Sequence, residues 1–109
     1  MIDWARINEL RDEIGAEDFQ EVVDLFLSEV EERLETLSDE KNLSDLEEDM
    51  HFLKGSALNL GFDQLATLCG EGEQRSGRGE MIDNIDAIKA TYEASKNVFF
   101  AKLEGECAA

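Results

Sequence analysis

His51 is the only histidine in the chain, and the run it opens, HFLKGSALNLG, places Lys54 three, Gly55 four and Leu58 seven residues beyond it. An imidazole nitrogen is a nucleophile, and a lysine one helical turn away can neutralise a dianionic group seated on the ring. The chemistry that fits is a phosphoryl group taken onto the imidazole and then given up. Gly55 needs a separate reason, because a glycine inside an exposed helix costs about 1 kcal/mol relative to alanine. A missing side chain beside an exposed imidazole leaves room for the backbone of another protein.

Other chemistries fit less well. One histidine among carboxylates of no regular spacing offers no zinc pattern, and the acidic turns lack the glycine and spacing of an EF-hand. The stretch GEGEQRSGRG has the Gly72 to Gly77 spacing of a phosphate loop, but Arg78 and Gly79 stand where Lys and Ser or Thr belong, and no strand precedes it. A histidine base serving a serine or cysteine nucleophile needs a pocket, which a slim acidic bundle with its histidine on a convex face does not provide. His51 is therefore read as a nucleophile completed by the active site of another protein.

Helices must position these residues. There is no proline, and apolar residues recur at helical spacing, so the expected class is all-α, an antiparallel four-helix bundle with a short additional N-terminal helix. Ile7, Leu10 and Ile14 mark the short helix, closed by Gly15; Phe19, Val22, Val23, Phe26, Val30, Leu34 and Leu37 mark a long second one. Ser44 with Glu47 reads as a capping box opening the third helix, whose stripe Leu46, Met50, Leu53, Ala57 and Leu60 leads to a C-terminal cap at Gly61. Asp63 reads as the cap of a fourth helix, with Leu65, Leu68 and Cys69 inward, ending in the glycine-rich run. Ile82, Ile85, Ile88, Tyr92, Phe99 and Leu103 mark the last.

On the third helix, at about 100° per residue, His51 lies roughly 135° from the apolar stripe and so faces outward. Glu47, Glu48, Lys54, Gly55 and Leu58 fall within about 60° of it on the same side, which makes them the expected docking residues around the ring. Leu58 is read either as a partner anchor or as an ordinary exposed leucine.

At 109 residues the chain fits one domain, 1–109, with about 104–109 as a frayed tail. The net charge of −17, from 27 acids against 10 bases, opposes binding to nucleic acid or anionic lipid. No apolar run approaches the roughly 20 residues that span a bilayer, and the first ten residues lack a signal-peptide pattern, so a cytoplasmic location is expected. Cys69 and Cys107 are expected as reduced thiols, Cys69 as a small buried residue.

The run HFLKGSALNLG resembles the signature of the histidine-containing phosphotransfer (HPt) domain family, and Leu65, Leu68, Cys69 and Glu73 resemble the next stretch of that pattern. The resemblance covers essentially the whole chain. It implies that His51 accepts a phosphoryl group from an aspartyl phosphate on a receiver domain of a hybrid histidine kinase and relays it to the receiver of a response regulator. It further implies that Lys54 steadies the phosphoryl group, that Gly55 admits the receiver, and that Ser56 and Asn59 bond neighbouring helices. The receivers would bring the Mg²⁺, so no cofactor is expected on this chain, and a monomer is expected. Two positions depart from the pattern: Gly72 stands where a large apolar residue is usual, and Phe52 directly follows the histidine. The acids near His51 call for a partner with basic residues around its pocket. A second reading, a non-catalytic helical adaptor or inhibitor that docks on a receiver or kinase, stays open at this point.

Overall fold

The computed structural model describes residues 2–38 and 41–108, with side chains described through residue 102. Five helices follow in order: α1 Trp4–Ile14, α2 Ala16–Thr36, α3 Leu43–Leu60, α4 Asp63–Gly77 and α5 Ile85–Ala108. No strand occurs among the described residues. The molecule measures 48 × 22 × 21 Å, too slim to enclose a deep cavity, so any chemistry must sit on its surface.

The expected apolar stripe of α3 forms the heart of the core: Leu46, Met50, Leu53, Ala57 and Leu60 are all at most 2% exposed. Against it pack Phe19, Val23, Val30 and Leu34 of α2, Leu65 and Cys69 of α4, and Ile88, Tyr92 and Phe99 of α5. On α2 the buried face also includes Leu27, which the sequence reading passed over, while Val22 and Phe26 are only half-buried at its edge.

Helix α1 caps one end of the bundle. Its N-cap Asp3 accepts from the Arg6 amide, and its own amide donates to the carbonyl of Gly61 at 2.6 Å. Trp4 lies parallel to the ring of Phe99 at 6.2 Å. Gly61 is required here twice over: its φ of 75° is left-handed, and a Cβ would fall 2.7 Å from the Asp3 carbonyl oxygen. The amides of Gly61 and Phe62 donate back to Leu58 and Ala57, the paired bonds of a Schellman cap.

Four element boundaries differ from expectation. Helix α3 opens at Asn42, not at a Ser44 and Glu47 capping box: the Asn42 Oδ1 accepts from the Asp45 amide at 2.8 Å, and half-buried Leu43 draws the first turn onto the core. Asp63 is the first residue of α4, not its cap, which is Phe62, a residue committed to the core. The glycine-rich run is not a loose loop: α4 continues through it to Gly77, and the connection to α5 is 78–84. Ile82 is buried within that connection, ahead of the helix it was expected to begin.

The backbone of α5 stays helical to Ala108. The side chains of Leu103 and Cys107, and those of the 104–109 tail, lie outside the described residues.

Candidate functional site

The site is built where α3 and α4 run side by side. His51 projects from α3 with its side chain 76% exposed, so the helical geometry holds and the ring faces out. Its Nδ1 lies 2.7 Å from Oε2 of Glu73 on α4, and the other oxygen of the same carboxylate lies 3.5 Å from Lys54 Nζ. A carboxylate only accepts, so the proton in this contact belongs to Nδ1. A neutral imidazole held this way keeps its lone pair on Nε2. Glu73 thus orients the imidazole and tethers the cation beside it.

Gly55 is exposed, and a Cβ placed on it would meet nothing within 4 Å. No contact among the described residues requires glycine there, and the space above it is open. Leu58 is 53% exposed one turn further on, beside a shallow groove shared by Ala66, Thr67 and Gly70 of α4. Glu47, Glu48 and Phe52 border a second groove, which runs past His51 between Arg33 of α2 and Glu73 of α4. The structure therefore brings His51 and Lys54 together with Glu73, and it divides the other expected residues between two flanks: Leu58 and Glu47 toward α4, where the Glu47 carboxylate lies against Gly77, and Glu48 toward the groove with Arg33 of α2.

Phe52 packs against α2, with the Arg33 guanidinium 4.3 Å from its ring centre. Arg33 in turn donates to Asp49 at 3.1 Å, and Lys41 donates to the other oxygen of Asp49 at 2.7 Å. The Asp49 side chain is 6% exposed, and two cations satisfy its charge. This network fastens the α2 flank of the site to α3. Of the two residues expected to bond neighbouring helices, Ser56 is buried and Asn59 exposed, and neither side chain hydrogen-bonds another helix among the described residues.

Sequence reasoning had matched Glu73 to a family pattern without giving it a role, and it missed Arg33 and Asp49. No local periodicity pairs positions 22 residues apart, as His51 and Glu73 are. For Asp49 a signal existed: an acid on the buried face of a helix needs a partner.

Burial pushes the Cys69 thiol up to about 12, which makes it inert at neutral pH. Among the described residues no three His, Cys, Asp or Glu side chains converge to hold a metal ion, and no helix is long and apolar enough to cross a membrane.

The fold and site are those of a helical bundle that presents one exposed imidazole, held by a carboxylate and flanked by a lysine and an exposed glycine. Residues 21–98 match the Hpt domain family, and the chain belongs to that family. It is similar to the phosphorelay intermediate protein YPD1 of Candida albicans, 37% identical over 91 residues, which are 77% of this chain and 48% of that protein. It is also similar to the phosphorelay protein LuxU of Vibrio vulnificus, 31% identical over 83% of this chain and 81% of LuxU, and to LuxU of Vibrio cholerae, 34% identical over 75% of each. The chain thus spans about half the length of the Candida relative and most of the Vibrio ones. No solved structure matches it significantly. Family and likeness together support histidine phosphotransfer in a multistep phosphorelay.

Proposed function

We propose that this chain is a phosphorelay intermediate in which Nε2 of His51 accepts a phosphoryl group from an aspartyl phosphate of one receiver domain and passes it to the aspartate of another. The observation that carries the reading is the 2.7 Å contact between His51 Nδ1 and Glu73, on a ring that is otherwise exposed. The Nε2 lone pair attacks phosphorus, and the bond between phosphorus and the aspartyl oxygen breaks with its electron pair leaving on the carboxylate. Because Nδ1 keeps its proton, the phosphorylated ring carries a positive charge, and the Glu73 carboxylate stands against that charge. Lys54, with its side chain 43% exposed, supplies a cation for the phosphoryl oxygens.

Transfer back out follows the same path in reverse: an aspartate oxygen attacks phosphorus and the electron pair returns to Nε2. The receivers, one on a hybrid histidine kinase and one on a response regulator, approach over Gly55 and bring the Mg²⁺ and the aspartate. Glu47, Glu48 and Leu58 form the rim they touch. The carrier acts as a monomer in the cytoplasm and binds no cofactor of its own.

The test is incubation with a phosphorylated receiver domain and Mg²⁺, following acid-labile, base-stable phosphate on the wild type and on His51→Gln. Label on the wild type alone is the expected result. If receivers that demonstrably bind the chain never label it, the chain is a non-catalytic adaptor instead.

A further inference from the structure

Gly72 departs from the family pattern, and the structure gives it a neighbour that explains the departure. Its backbone is ordinary helix, with none of the left-handed φ values found at Gly15, Gly61 and Gly79. Conformation alone would favour alanine at this position. Yet Gly72 is buried against α3, and a Cβ placed on it would fall 2.9 Å from Sδ, 3.2 Å from Cγ and 3.3 Å from Cε of Met50. Carbon contacts are best at about 3.5–4.0 Å, so a Cβ at position 72 would need either the end of the Met50 side chain or α4 itself to move. Met50 is 0% exposed, so its end has little room in which to give way.

The residue after Gly72 is Glu73. We propose that Gly72 is a positioning residue for the imidazole: by lacking a Cβ it lets α4 close onto Met50, which sets the Glu73 carboxylate within 2.7 Å of His51 Nδ1. An outward shift of α4 by about 1 Å would stretch that contact past hydrogen-bond range. Glu73 would lose its hold on the ring proton and on Lys54, now 3.5 Å away. The small residue where a large one is usual is thus what fixes the lone pair on Nε2. This inference rests on His51 being the phosphoryl acceptor, but its geometric content is read separately.

The chain has a single histidine, so ¹⁵N spectra of the full labelled chain report one imidazole. In the neutral wild type the expected major tautomer carries its proton on Nδ1, the reverse of free histidine. Gly72→Ala is expected to move the majority to Nε2–H, and Gly72→Ala with Met50→Ala, which makes room for the added methyl, to bring it back. The rate of labelling by a phosphorylated receiver is expected to fall about tenfold in Gly72→Ala and to recover in the double variant. A wild type dominated by Nε2–H, a folded Gly72→Ala with an unchanged tautomer, or a double variant that does not recover overturns the proposal. If Gly72→Ala does not fold, as read by the fluorescence of Trp4, the wild type and the double variant decide: one shared tautomer is expected, and two different ones overturn it. A chain that shows these tautomer shifts yet is never labelled overturns the proposed function and leaves the positioning role of Gly72 standing.

Discussion

His51 Nδ1 and Glu73 Oε2 meet at 2.7 Å across the seam between α3 and α4, although they stand 22 residues apart in the chain. The contact assigns the ring proton and leaves the opposite nitrogen with the free lone pair, the nucleophile of the proposed transfer. Glu73→Ala should therefore slow receiver-dependent labelling of His51 by about tenfold or more. Glu73→Gln should slow it less, because its amide oxygen still accepts from Nδ1–H while losing the charge that faces the phosphorylated ring. Single-turnover transfer rates from a saturating phosphorylated receiver check both. Equal rates for wild type and Glu73→Ala would refute the role.

Gly55 offers a separation of stability from docking. Since a Cβ there meets nothing within 4 Å, Gly55→Ala should raise unfolding stability by up to about 1 kcal/mol. Gly55→Gln should fold as well as the wild type but weaken receiver binding about tenfold, because its side chain fills the space left for the partner. Thermal unfolding and a binding titration on the same samples check this. A loss of stability in Gly55→Ala would show that the helix itself needs the glycine.

Asp49 is held by Arg33 and Lys41, whose side chains are 36% and 28% exposed. Asp49→Ala strands two half-buried cations and should cost about 2 kcal/mol, below the range for a fully buried pair because water reaches both. Urea denaturation should show a lower midpoint with an unchanged slope. The loss of the Arg33 anchor should also loosen Phe52 beside the site.

Far from His51, Glu31 accepts from Lys96 at 2.8 Å and from the Tyr92 hydroxyl at 2.5 Å. The Lys96 bond first, and then the Tyr92 bond, hold the Glu31 carboxyl below its usual 4.5. A group depressed in the folded state stabilises above its ordinary pKa, and that contribution fades as pH falls through the lower folded value. Lys96 is raised, chiefly by its bond to Glu31, so its share is present below its ordinary 10.5 and is lost as pH climbs through the higher folded value. The stability gap between wild type and Glu31→Gln should be constant near neutral pH and close as pH drops well below 4.5. Urea midpoints across that range check it; a gap that widens toward acid would contradict the assignment.

Much of the bundle was legible because its physics is local. The stripe of α3 is written in the spacing of Leu46, Met50, Leu53, Ala57 and Leu60, and a helix with that stripe has to turn His51 outward. Gly61 was legible as a stop, since a left-handed cap after an apolar run is a backbone requirement. The boundaries at Asn42 and Phe62 were not, because both depend on which neighbouring side chain the core takes in. Nor was the course of α4: a run with glycines at 70, 72 and 77 looks like a loop by propensity, and only packing against α3 makes it a helix.

By itself the sequence determined an all-helical chain with one outward imidazole, a lysine on the same turn and a glycine that the helix's own packing does not require. These follow from side-chain type and a period of 3.6 residues. The tertiary structure alone decided that Glu73 reaches Nδ1, that Arg33 backs Phe52 and Asp49, and that Gly72 yields its place to Met50. Each of these is a distance between two helices, set by how closely their side chains let them approach, and no spacing within one helix encodes it.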